Sequence, residues 1–157
     1  MNPATPAPEF LECLSCSCFA ARRAARTITQ LYERQLKPSG LRVTQFTVLS
    51  MLAAAGPQPL SQLAGQLATE RTTLTRNLRP LVAGGLVAGS ATEDGRVRLL
   101  SITKRGLAAA RAALPLWREA QKSIARRLGD GAIQALAAAS AATTSLGPGR
   151  SPWGPKR

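Results

Sequence analysis

The chain has 157 residues, 21 Lys and Arg against 8 Asp and Glu, three cysteines and no histidine, giving a formal net charge of +13. This length fits one compact unit with extensions, and the charge suits a polyanionic partner: nucleic acid, an anionic membrane surface or an acidic protein. The lack of histidine removes the commonest general base and metal ligand, and cysteines confined to 13–18 do not make the spread framework of a disulfide-stapled secreted domain.

The start, MNPATPAPEF, lacks a charged segment followed by an apolar run, and no stretch reaches the ~18 apolar residues that span a bilayer. The expectation is a cytoplasmic protein with no membrane partner. Residues 1–10 read as a flexible lead, with three prolines among the first eight. Over 11–37, Leu14, Cys18, Ala21, Ala25, Ile28 and Tyr32 recur at steps of three and four, which predicts one long helix with Arg22, Arg23 and Arg26 off its stripe. KPSG at 37–40 ends it. A second helix is expected over 44–55, with Phe46, Leu49 and Leu52 inward, broken by GPQP. A short third helix follows, with Ser61 as its N-cap and Leu60, Leu63 and Leu67 on one face.

TERTTLTRNLRP, residues 69–80, predicts a fourth helix. Leu74, Leu78 and Leu81 form its seam. At about 100° per residue Thr72, Thr75, Arg76 and Arg79 lie opposite, with Thr73 at the edge. Pro80 should bend or end this helix, and Gly84 and Gly85 stop it. Residues 86–103 read as a β-hairpin turning at Asp94-Gly95, with Arg96 and Arg98 on one face near its tip. Leu107, Ala110, Leu114, Trp117, Gln121, Ile124 and Leu128 predict a long helix kinked at Pro115. Gly129 and Asp130 start a last one carrying Ile133, Leu136, Ala137 and Ser140. Residues 147–157, which include Trp153, read as a disordered basic tail.

The order is mainly α with a small β-hairpin wing: a winged helix-turn-helix over 41–103, between long terminal helices at 11–37 and 104–146. An α-helix fits the major groove, where arginine reads guanine through two hydrogen bonds and threonine contacts phosphate, base edges or the thymine methyl. Free N–H groups at a helix start attract phosphate, and a wing arginine suits a narrow minor groove. Ser61, Thr72, Thr73, Thr75, Arg76, Arg79, Arg96 and Arg98 are therefore the candidate contacts to double-stranded DNA. The few carboxylates form no acid/base pair, and no glycine-rich phosphate loop is followed by Lys-Ser or Lys-Thr, so neither an enzyme nor a cofactor is expected. A non-specific DNA-coating protein and a thiol-based redox protein are the alternatives. The terminal apolar stripes exceed what so small a winged core can cover, which predicts a symmetric homodimer on a near-palindromic operator, with half-sites about 10 bp apart.

GLRVTQFTVL at 40–49, LSQLAGQL at 60–67, ERTTLTRNLRPL at 70–81, GGLV at 84–87 and DGRVRLLSITKRG at 94–106 together resemble the MarR-type winged-helix regulators, over residues 11–146. The resemblance implies a homodimer joined by its first and last helices, a fourth helix in the major groove and a wing at the minor groove. By motif match Thr73, Thr75, Arg76 and Arg79 carry over as major-groove candidates and Arg96 as the wing arginine, which Asp94 would orient. It also implies a repressor released by an unidentified small-molecule effector.

CLSCSC, residues 13–18, has three readings. Cys13, Cys16 and Cys18 could pack as small hydrophobes. They could hold a metal, although three thiolates lack a fourth ligand. They could sense oxidants, since a thiolate near arginine oxidises selectively, and Arg22 stands one turn after Cys18. Cys18-Phe19 with Arg26 and Tyr32 resembles the first helix of the organic-hydroperoxide-sensing branch, in which tyrosines of the partner subunit bond to the reactive cysteine. Tyr32 matches one of them, Val43 stands in place of another and Arg22 replaces a third. Cys13 and Cys16 would be resolving thiols.

Overall fold

The computed structural model describes residues 8–91 and 98–143. The first seven residues of the expected lead, the hairpin turn with Asp94, Gly95 and Arg96, and the basic tail with Trp153 lie outside the described residues.

A 3-10 helix at Pro8–Ser15 precedes α1 (Ser17–Leu36). The first helix is thus not continuous from residue 11. Ser15 donates its hydroxyl to the Glu12 carbonyl at 2.8 Å, and the Cys16 N–H bonds to Cys13 O at 3.2 Å. These three-residue closures compete with the α pattern, and Cys16 is extended at ψ 120° where α1 begins. A 3-10 turn at Lys37–Ser39 ends at left-handed Gly40 (φ 72°), and α2 (Val43–Ala55) follows.

Residues 58–59, expected only to break a helix, form strand β1 (Gln58–Pro59). It leads directly into α3 (Leu60–Gln66), so the residue before the helix is Pro59 and Ser61 sits inside the first turn instead of capping it. After α4 (Arg71–Ala83), β2 (Val87–Ala91) and β3 (Arg98–Ile102) pair antiparallel from Val87↔Ile102 to Ala91↔Arg98. The wing is a three-stranded sheet in the order β1-β3-β2, with β1 on β3 through Gln58↔Leu100 and Pro59↔Leu99. Proline cannot donate to a ladder, which suits this edge position.

Pro80 does not end α4, which continues to Ala83. The ring removes one N–H, the partner of the Arg76 carbonyl, and both residues are on the exposed face where water can serve that carbonyl. The long α5 (Lys104–Leu128) likewise runs through exposed Pro115, and α6 (Asp130–Thr143) follows Gly129 (φ 76°).

The core lies where α2, α4 and α5 meet the sheet. Leu49, Leu52, Leu63, Leu74 and Leu81 are fully buried, and Phe46 stacks obliquely on Trp117 with ring centroids 6.2 Å apart. Leu36 at the end of α1 is also fully buried. Its neighbours fasten α1 to both sides: Tyr32 donates its hydroxyl to Gln121 of α5, and Glu33 accepts the Val43 N–H of α2 at 3.1 Å. Burial raises the Tyr32 pKa.

The buried face of α5 differs from the expected stripe. Gly106, Ala110, Ala113, Ala120 and Ile124 are buried, whereas Leu107, Leu114 and Trp117 flank them and Gln121 and Leu128 are exposed. Close packing favours the small residues. A Cβ at Gly106 would lie 2.0 Å from the Leu86 carbonyl oxygen and 2.9 Å from Ile102 Cγ1. At Gly131, in the first turn of α6, a Cβ meets nothing within 4 Å. Gly106→Ala should therefore lower unfolding stability by about 3 kcal/mol through overpacking. Gly131→Ala should raise it by about 0.5–1 kcal/mol through reduced chain entropy. Urea unfolding followed by circular dichroism measures both, and equal effects would overturn this packing account.

Candidate nucleic-acid interface

The exposed face of α4 depends on its entry and its exit. At the entry, α3 closes through Ala68 at φ 47°, with Ala68 N–H on Gly65 O at 3.1 Å and Thr69 N–H on Ala64 O at 3.0 Å. Such a left-handed residue turns the chain sharply after a helix. Glu70 then precedes α4 with no side-chain cap, so the first-turn N–H groups stay free for an outside acceptor.

Leu74, Leu78 and Leu81 face the core at 1%, 5% and 1% exposure. That leaves Thr72, Thr75, Arg76 and Arg79 exposed together on the other side and Thr73 half-buried at the edge. The structure therefore brings together the helix-borne candidates. Thr75 donates its hydroxyl proton to the Arg71 carbonyl at 2.7 Å, leaving its methyl and oxygen lone pairs for a ligand. Ser61 is exposed in the first turn of α3. Arg98 is placed by its backbone opposite Ala91 in the sheet. Arg96 and Asp94 lie outside the described residues. Among the described residues the one ion pair is Lys122–Glu119 at 2.8 Å, and none engages an α4 arginine.

Two features were missed in the sequence. Arg71 is exposed at the first position of α4 and adds a third guanidinium there; it fell outside the angular reading, although it lies in the same polar run. The second is Thr103. Its N–H bonds to Leu86 O at 3.1 Å, its hydroxyl donates to Gly85 O at 2.7 Å, and its oxygen accepts the Gly106 N–H at 2.9 Å as the N-cap of α5. Gly84, Gly85 and Leu86 bond back to Pro80, Val82 and Leu81 of α4. One threonine thus ties the end of α4, the base of the wing and the start of α5. A threonine three residues before a glycine at a helix start was the available signal.

The cysteines sit at the other end. Cys13, Cys16 and Cys18 are all free and exposed, so Cys18 is not packed within its own chain. The apolar stripe of α1 becomes half-buried only at Ile28 and Tyr32. Arg22 is exposed one turn beyond Cys18. Tyr32 is fourteen residues from Cys18 along α1, about 21 Å, so the two do not meet inside one chain. Among the described residues no group of three or more His, Cys, Asp or Glu side chains could hold a metal ion, and no helix is long and apolar enough to cross a membrane. Phe10, Leu11, Leu14, Phe19, Leu128 and Leu136 are exposed on the terminal elements. Between α1 and Leu128 runs an open groove of about 440 Å³, lined by Leu14, Phe19 and Ile28 with Arg23 and Thr27.

Comparison with known proteins places this geometry. The MarR family profile matches residues 41–97. The HTH-type transcriptional regulator YwoH of Bacillus subtilis (strain 168) is 34% identical over 82 residues, 52% of this chain and 60% of that relative's length, so the match spans less than two thirds of it. The transcriptional regulator MosR of M. tuberculosis, solved in complex with DNA, is 38% identical, with 84% of this chain and 98% of that one covered and a TM-score of 0.75. A second MosR structure gives 37% identity, 84% and 96% coverage and a TM-score of 0.72.

Thr103→Val keeps the shape of this junction but removes the cap and the bridge to Gly85. It should cost about 1–2 kcal/mol of unfolding stability, whereas Thr103→Ser retains both bonds and should stay within about 0.5 kcal/mol of the wild type. Thermal unfolding of the two variants decides, and a Val variant as stable as the Ser variant would refute the role.

Proposed function

The chain belongs to the MarR family, and from that premise we propose that it is a cytoplasmic, homodimeric, sequence-specific DNA-binding transcriptional regulator of the repressor type. The observation that carries this reading is the α4 face, where exposed Thr72, Thr75, Arg76 and Arg79 stand over a seam of buried leucines. A protein core gains nothing from such a face, and a major groove is lined with its hydrogen-bonding complements. The family relative MosR, 38% identical and solved with DNA, supports the same conclusion.

In this reading residues 41–103 are the DNA-binding unit and 11–37 with 104–146 the dimerisation unit. Arg76 and Arg79 reach base edges, with Thr73, Thr75 and Ser61 on bases or phosphates. Arg96, oriented by Asp94, enters the minor groove, and Arg98 neutralises nearby phosphate. A second copy covers the exposed apolar side chains of the terminal helices, since such clustered patches mark interaction sites. The dimer's twofold axis then presents two α4 helices to a near-palindromic operator.

Release comes from a small ligand or from oxidation of the cysteines. In the second route the Cys18 thiolate attacks an organic hydroperoxide, which leaves as the alcohol, and the sulfur becomes a sulfenic acid. The thiol of Cys13 or Cys16 then displaces water to form a disulfide. Arg22 stands one turn beyond Cys18, and the partner's Tyr32 exchanges its bond to Gln121 for one to Cys18 across the dimer. Exposure of all three thiols supports access to the oxidant.

The test is fluorescence anisotropy on DNA from upstream of the chain's own gene, with competitor DNA and reductant, repeated after organic hydroperoxide. Arg96→Ala should weaken binding to every sequence about tenfold. Arg76→Ala should lose about 1–3 kcal/mol and relax preference at a single base position. Normal binding by both variants would sink the docking scheme. Loss of binding on oxidation that Cys18→Ser abolishes supports the redox route, and binding indifferent to oxidant refutes it.

A further inference from the structure

Resting on the DNA-binding reading above, we infer that α5 carries a second DNA surface, along which the duplex flanking the operator lies. The feature is a cationic stripe. At about 100° per residue, Lys104, Arg111, Arg118, Lys122 and Arg126 fall within an arc of about 80°, and all five are exposed. They lie opposite the buried Gly106–Ala110–Ala113–Ala120–Ile124 face. The stripe extends about 33 Å, nearly the whole helix.

This pattern differs from an ordinary solvated face. Solubilising surfaces mix signs, and helix faces gain from opposite charges four residues apart. Here Arg118 and Lys122, and Lys122 and Arg126, set like charges at that spacing, so the stripe repels itself. Glu119, at its edge, is the one carboxylate there and is already bonded to Lys122 at 2.8 Å. The arrangement is relieved when phosphates lie over it.

Position favours flanking DNA as the occupant. Lys104 directly follows Thr103, which is bonded to the wing base at Leu86, so the stripe starts where the reading surface ends. A covalently continuous flank is also present at far higher effective concentration than a separate duplex. The exposed apolar Leu128 lies about 120° around α5 from the centre of the stripe, which keeps the stripe clear of the apolar face assigned to the second copy.

The experiment uses an operator core selected from a random duplex pool, placed in duplexes of about 20 bp, two half-sites long, and of about 60 bp. Affinity is measured against salt, and each phosphate neutralised adds about 0.9 to the slope of log K against log salt. The wild type should show a slope steeper by at least about 2 on the longer duplex, with a hydroxyl-radical footprint extending beyond the core. The variant Arg111→Gln/Arg118→Gln/Lys122→Gln should lose that increment and bind the short duplex unchanged. Equal slopes in the wild type, an increment that survives in the variant, or a footprint confined to the core overturns the inference alone. The same gain from an unlinked second duplex overturns the flanking placement. No binding to the short core overturns the operator reading, and this inference with it.

Discussion

The Leu86 carbonyl is the point on which the rest of the structure turns. It accepts the Thr103 N–H at 3.1 Å, and α5 passes so close to it that residue 106 has no room for a Cβ. From this contact the sheet, the end of α4 and the start of α5 acquire fixed relative positions. In the proposed docking, where α4 and the wing meet one duplex, the angle between them has to be fixed. The bonds at Gly84, Gly85, Leu86 and Thr103 supply that rigidity with backbone groups and one hydroxyl.

The charge distribution follows a similar economy. Carboxylates are few, and among the described residues one ion pair forms, Lys122–Glu119, on an exposed surface where it adds little stability. Folding is carried by leucines in the core and by alanines that let α5 approach its neighbours. The arginines of α4 are left without a carboxylate partner in the described residues. Their charge is thus available to an external anion, which links the packing scheme to function.

The terminal elements show the opposite balance. Phe10, Leu11, Leu14 and Phe19 are more than half exposed, and α1 enters the core only at Leu36. Two consecutive side chains, Tyr32 and Glu33, bind it to α5 and α2. Any rearrangement of α1 would therefore be felt at α2 and α5. Exposed Cys18 lies in the first turn of the same helix, with exposed Cys16 and Cys13 just ahead of it.

Much of this was legible in the sequence by itself. The period of Leu74, Leu78 and Leu81 determined which face of α4 is buried, and so which threonines and arginines face outward. The two β-leaning runs flanking residues 92–97 determined the antiparallel pair β2 and β3, and Gly129 the break between α5 and α6. These are local signals, fixed by side-chain period and backbone preference. Tertiary structure alone decided the rest. Gln58-Pro59 becomes a strand because β3 offers it a partner forty residues away. Beside the expected Ala110 and Ile124, the buried face of α5 takes in Gly106, Ala113 and Ala120 instead of its leucines, because the distance of approach to Leu86 and α1 selects side chains by size as well as polarity. Pro80 and Pro115 stay inside helices because the carbonyls they leave without an N–H partner, those of Arg76 and Arg111, belong to exposed residues that water can serve. The Thr103–Gly106 spacing records the local cap of α5, but the bonds of Thr103 to Gly85 and Leu86 form only once the elements are adjacent.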